Sequence, residues 1–187
     1  MIKDDEQKSA ITLIREIILS EMELDEDRAI IYNQKFNIPT DDGIFITLSM
    51  LGSKCFGNRN VQAEDTDGNP IERQEVNIQE MIQIDIMSKS TAALFRRWEV
   101  IAALSSNHSQ QVQEQNSFRI APIPNGLTDL SHIEGASRNY RFAITIVTLA
   151  WYSKNKKIDF YDAFKLRVLT EESDTGEIDQ PQPDPEE

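Results

Sequence analysis

The segment "EVNIQEMIQIDIM", residues 75–87, constrains the fold more than any other stretch of the chain. Val76, Ile78, Ile82, Ile84 and Ile86 share one parity, with Asn77, Gln79, Gln83 and Asp85 between them. Side chains of a strand alternate between the sheet faces, so this pattern reads as a strand with one apolar and one polar face. The polar face carries little charge, which suits a sheet side meeting another polar surface or a narrow lumen. Glu80 stands among the apolar positions and Met81 among the polar ones, where a bulge would reset the alternation.

A second long run, "SRNYRFAITIVTLAWYSK" (137–154), begins on arginines and ends on an aromatic pair. Its uncharged part reaches only from Phe142 to Ser153, short of the roughly 18–20 residues of a membrane span, and Thr145 and Thr148 interrupt it. It therefore reads as a strand. Tyr140, Phe142, Ile144 and Ile146 fall on one face, and Arg141, Thr145 and Val147 on the other. Past Val147, Leu149 and Trp151 make both faces apolar, so the expectation is an end covered on both sides by a helix, a loop or a neighbouring subunit.

A third strand starts at Ile44, with Ile46, Leu48 and Met50 on its face and Phe45, Thr47 and Ser49 opposite. Residues 52–74 hold Gly, Asn, Asp and Pro without apolar periodicity and read as a long, mobile hairpin connection with "DGNP" at its tip. "FRIAPIP" is a short strand, and "LTDLSHIEGAS" a loop in which Ser131 and Glu134 have capping-box spacing. Residues 8–23 place Ile11, Ile14, Ile17 and Ile18 at helical spacing, with Ser9 as N-cap. In "SKSTAALFRRWEVIAALSS", a stripe of Leu94, Trp98, Ile101 and Ser105 predicts a helix capped by Ser90 or Thr91, with "NHSQQVQEQN" as a polar continuation. "IDFYDAFKLRVL" is a final short element. The fold class is α+β: a mostly antiparallel sheet with helices packed on one face. Residues 1–170 make one domain, and 171–187 an acidic tail with almost nothing to bury, expected to be disordered alone.

The formal net charge of −13 is concentrated at the ends. Residues 1–30 carry nine acids against four bases, and 171–187 eight acids and no base, around a neutral body. Acid at both ends argues against a protein that holds duplex DNA, since that affinity comes from cations displacing counterions. A single cysteine, Cys55, excludes an intramolecular disulfide and suits a reducing compartment. The charged start "MIKDDEQKSA" lacks the apolar core of a secretory signal.

Signs of chemistry are few. His108 and His132 have no ligand spacing, and solvated histidines are the better reading. "DTDGN" (65–69) resembles a calcium loop, but that register puts Ala63 and Gln74 where carboxylates are required. Nucleotide and hydrolase glycine motifs are absent. The carboxylate pairs Asp41–Asp42 and Asp159–Asp162 read as exposed acids, and Cys55 as a partly buried thiol. No catalytic, cofactor-binding or metal residues are assigned, and the chain is not read as an enzyme. The interface candidates are Arg96 and Arg97 on the long helix, Lys154, Lys156 and Lys157 after the last strand, and the apolar pair Leu149 and Trp151. The cations could meet an acidic partner, or simply form a solvated face.

Four ordered blocks carry a resemblance: "IIYNQKFNIPTDDGIFITLSMLGSKCFGN", "EVNIQEMIQIDIMSKSTAALFRRWEVIAAL", "SSNHSQQVQEQNSFRIAPIP" and "EGASRNYRFAITIVTLAWYSKNKKIDFYDAF". Over about residues 10–165 the chain resembles the tail terminator (neck terminator) proteins of long-tailed bacteriophages. The resemblance implies a small α+β subunit that builds a ring, usually a hexamer. Such a ring caps the head-proximal end of the tail tube, stops its polymerisation and provides the docking surface for the head. The implied partners are other copies of the chain, the tube protein, a head-closure or connector protein and, in contractile tails, the sheath. Genomic DNA would pass through the bore without specific binding; no membrane and no cofactor are implied. The implied location is the virion neck, after assembly in the host cytoplasm. The other readings are a different neck component such as a head-closure protein, an acidic adaptor that uses its tail, and an enzyme.

Overall fold

The computed structural model describes residues 8–32, 41–65, 67–124, 126–134 and 137–157. The final element expected at 158–169, the pair Asp159–Asp162 and the acidic tail lie outside the described residues. The fold is α+β with a mixed sheet. Helix α1 (Ala10–Glu21) and a short 3-10 turn (Glu26–Arg28) lead into β1 (Ala29–Ile31). Then come β2 (Phe45–Glu64), β3 (Pro70–Ser88), α2 (Ala92–Leu104) and α3 (Asn107–Gln115). Short strands β4 (Phe118–Ile120), β5 (Thr128–Asp129) and β6 (His132–Glu134) precede the long β7 (Ser137–Lys157). The sheet order is β1-β2-β3-β7-β4, with β5 and β6 also paired to β7. Only β1–β2 is parallel among these pairs; the rest are antiparallel.

Strand parity decides which side of the sheet the helices take. Rows such as Ile46–Ile86–Phe142, Leu48–Ile84–Ile144 and Met50–Ile82–Ile146 align apolar residues across β2, β3 and β7. Their β3 and β7 members are buried, and they join Ile14, Ile17 and Ile18 of α1 and Val100 and Leu104 of α2 in one core. This is the helix side of the sheet. Burying an isoleucine there is worth about 1.5–3 kcal/mol, so the row-on-row alignment is the main anchor of the fold. The opposite rows form the open side.

Two helix expectations need correction. The buried face of α2 runs through Ala93, Val100, Ala103 and Leu104. Trp98 and Ser105, expected in the stripe, are exposed, while Leu94 and Ile101 are half-buried. Small Ala93 and Ala103 let α2 lie close to its neighbours, whereas a stripe through Trp98 would hold it off. The polar stretch after α2 is a separate helix, α3, whose start is fixed by the Ser106 hydroxyl accepting from the Ser109 amide at 3.0 Å. Gln113 then ties α3 to β4 by accepting from the Ile120 amide at 2.8 Å. Of the expected caps, Ser90 Oγ accepts from the Ala92 amide at 3.1 Å, while Ser9 stands at the N-cap of α1 without a side-chain bond to the backbone.

The expected loop at 52–74 is not a loop. β2 and β3 continue through it as paired strands to a turn between Glu64 and Pro70. Gly68 (φ +78°) and Asp65 shape that turn. The Asp65 carboxylate accepts from the amides of Asp67 and Asn69 at 2.9 and 2.8 Å. The alternation vanishes from the sequence because the β2–β3 register slips by one residue between Met50 and Gly52, and again between Cys55 and Gly57. Each slip is a bulge that reverses the parity of β2. The bulge expected near Glu80 thus lies on the partner strand, and β3–β7 pairing is continuous from Ile71–Lys157 to Ser88–Tyr140. The loop expected around Ser131 and Glu134 forms β5 and β6 along β7, so those two residues do not cap a helix.

Candidate functional site: the projecting ribbon

Helix cover ends partway along the three central strands. On β7 it reaches Ala150, opposite Ile78, and on β2 it stops near Met50, which is already exposed. Beyond Ile78 the strands continue to the turn as a three-stranded ribbon. At about 3.3 Å per residue, the stretch Pro70–Ile78 projects about 26 Å. Residues 151–157 of β7 are exposed, so among the described residues neither a helix nor a loop of the same chain covers the strand end. The helices bury the first part of β7 instead, because its apolar rows face α1 and α2 there.

The ribbon exposes the large apolar side chains Phe56, Val61, Trp151 and Tyr152, and its base exposes Leu51 and Met81. By register Val61, Met81 and Trp151 lie on the open side. Trp151 is held in place. The Arg59 guanidinium stacks over its ring at 5.2 Å from the centroid and also pairs with Glu75 at 2.5 Å, its opposite number on β3. Aromatic and arginine side chains fixed before contact are the usual anchors of protein interfaces. Open-side charge is mostly positive, with Lys54, Arg59, Arg73, Arg119, Arg141 and Lys157 against Glu75 and Asp85. Asp85 is buried and accepts from Arg141 at 3.0 Å and Gln83 at 2.9 Å. The hydrogen bond from Arg141 to Asp85 raises the guanidinium's pKa.

The bulges carry a repeated unit. Met50-Leu51-Gly52-Ser53-Lys54 is followed by Cys55-Phe56-Gly57-Asn58-Arg59. In each, an exposed apolar residue sits at the slip, followed by glycine, a small polar residue and a cation. A Cβ at Gly52 would meet nothing within 4 Å, and one at Gly57 would touch only Asn77 Cβ at 3.8 Å. Neither glycine is demanded by crowding within the described chain. Glycine inside a strand often marks a bulge or a close approach by another chain. This signal was readable in the sequence and points to Leu51 and Phe56, which periodicity alone missed. Cys55 is exposed rather than partly buried, since the ribbon has no helix over it.

In the helix layer, Glu21, Met22, Glu23, Arg96, Glu99, Ala102 and Ala103 line a cleft of about 300 Å³ between α1 and α2. Phe95 and Trp98 are exposed on α2 beside it, 75% and 50% accessible, so the helix layer too has an uncovered aromatic patch. Arg96 donates to the Met22 carbonyl at 2.9 Å and pairs with Glu99 at 2.7 Å. Arg97 lies over the Phe142 ring at 4.8 Å and donates to the Leu94 carbonyl. Both arginines therefore have partners within the chain. The structure puts Leu149, Trp151 and Lys157 on the open side, spread along β7, and Lys154 and Lys156 on the reverse of the ribbon. His108 and His132 are exposed. Asp41 is clasped by Arg28 at 2.8 and 2.6 Å and accepts from the Gly43 amide. The Arg28 bonds first, then the amide, hold its pKa down to about 2. Among the described residues no cluster of His, Cys, Asp and Glu is placed to hold a metal, and no helix is long and apolar enough to cross a membrane.

No family model matches the chain, and no curated protein matches it. Among solved structures, it is similar to the sheath/tube terminator of an extracellular contractile injection system, PVC, in its extended state. The TM-score is 0.41 at 13% identity, and the match covers 90% of this chain and 66% of that one, just under two thirds of its length.

Proposed function

We propose that this protein is a structural tail terminator: a non-enzymatic subunit whose copies form a ring at the head-proximal end of a tail. The ring caps the tail tube, ends its growth and gives the head a surface on which to dock. In a contractile tail it also meets the last sheath ring. One observation carries this reading, the projecting ribbon. A helix-backed sheet that extends its central strands into solvent, with a fixed Trp–Arg pair and further exposed apolar residues, is built to be completed by protein contacts. The ordered sequence blocks that resemble the terminator family support the same reading. On this reading the subunit sits in the virion neck, with self, tube and head-closure proteins as partners and DNA passing through the bore.

Deleting the gene in the parent phage and imaging the particles tests this. The expected result is tails of uncontrolled length, detached from filled heads. Tails of normal length beside unsealed heads would instead make it a head-closure protein. Removing residues 171–187 tests the adaptor alternative, and unchanged partner binding is the expected result.

A further inference from the structure

We infer that the open side of the ribbon in one copy packs onto the α1–α2 cleft of a second copy, a head-to-tail contact that builds the ring; this rests on the ring reading above. The two ribbon edges are poor templates for adding another strand. The free edge of β2 is bulged at Leu51 and Phe56, and the free end of β7 carries Lys154, Lys156 and Lys157. Bulges and lysines are the usual means of blocking edge-to-edge pairing. Contact through a ribbon face remains, and the open face bears Trp151, Met81 and Val61.

The occupant follows from charge. The open face is mostly cationic, with Lys54 and Lys157 exposed. The cleft is lined by Glu21, Glu23 and the Arg96–Glu99 pair around Met22, Ala102 and Ala103, which leaves it net negative. One chain thus holds a basic apolar surface and an acidic apolar surface at separate places. Such a pair can be satisfied head to tail by rotation from copy to copy, which closes a ring. Complementary charge of this kind sets orientation and speeds association.

The full-length chain is measured by sedimentation velocity at low salt, with circular dichroism as the check on folding. Wild type is expected to associate. K54E/K157E and E21K/E23K are each expected to weaken association at least about tenfold, since each sets like charges against one another. A chain carrying all four substitutions is expected to recover. Wild type that stays monomeric at its highest soluble concentration overturns the inference. So do single-face variants that assemble like wild type, or a folded four-fold variant that fails to recover. A ring insensitive to all four substitutions rejects this contact but leaves the terminator reading standing, because tail length in the deletion phage tests that reading separately.

Discussion

The same three strands live two different lives. Between Phe142 and Ala150, β7 lies under helices, and Phe142, Ile144 and Ile146, with Ile86, Ile84 and Ile82 of β3 opposite, are packed in the core. From Trp151 to Lys157 it keeps unbroken pairing with β3 on one edge, but it has neither β4 nor β5 on the other and no cover. The hydrogen bonds to β3 are therefore common to both halves; burial, together with the short strands on the second edge, separates them. Net hydrogen-bond stabilisation is modest, so the covered half should hold the fold and the ribbon should be dispensable to it. A part that is dispensable to folding yet rich in exposed aromatic and aliphatic groups has another reason to be there.

The contrast can be broken most forcefully in the core. Ile84→Ala should cost about 2–5 kcal/mol in chemical denaturation, whereas Val76→Ala, four rows out on the same face, should cost less than about 1 kcal/mol. Equal losses would mean that the ribbon is as much a part of the core as Ile84. Hydrogen exchange reads the same division without mutation: amides near Ile82–Ile86 should open only with global unfolding, and those of 72–76 well before it. Gly52→Ala should raise the monomer's stability by about 0.4–1 kcal/mol, because the backbone there is compatible with alanine and the added methyl has room. If a partner lies against that glycine, the same variant should weaken assembly.

Glu80 sharpens the boundary. It faces Thr148 across the strands, and burial raises its pKa. Its folded pKa is higher than its unfolded one, so ionising it penalises the folded state above the unfolded value, about 4.3. Glu80→Gln should therefore raise the melting temperature at neutral pH, and the gain should fade below about pH 4. Asp41 should give the smallest effect, with the opposite sign. Its folded pKa is depressed, so its contribution is present above the unfolded value and is lost as pH falls from about 4 towards 2. Asp41→Asn should flatten that part of an acid titration of stability.

Much of this contrast was legible in the sequence. Ile44–Met50, Val76–Ile86 and Tyr140–Val147 gave correct faces because their pairing is regular. Residues 52–64 looked like a loop because two slips five residues apart scramble a period of two, and their polar residues gave no burial signal. Leu149 and Trp151 suggested double cover, and no helix or loop among the described residues of the chain supplies it at Trp151, because apolar character says that cover is favourable and not where it comes from. Trp151 was a sound candidate on that ground. Arg59 was not, because its stacking depends on parity set by both bulges.

Those bulges have a mechanical consequence. Over the span from Phe45 to Glu64, β2 uses two more residues than the β3 segment Pro70–Met87 opposite it. Two bonded strips of unequal length bend like a bimetallic strip, and bulges add twist as well. The ribbon's direction is thus written in the surplus of Leu51 and Phe56. If copies are joined through this arm, the angle from one to the next, and with it the number that fits around a circle, depends on two inserted residues.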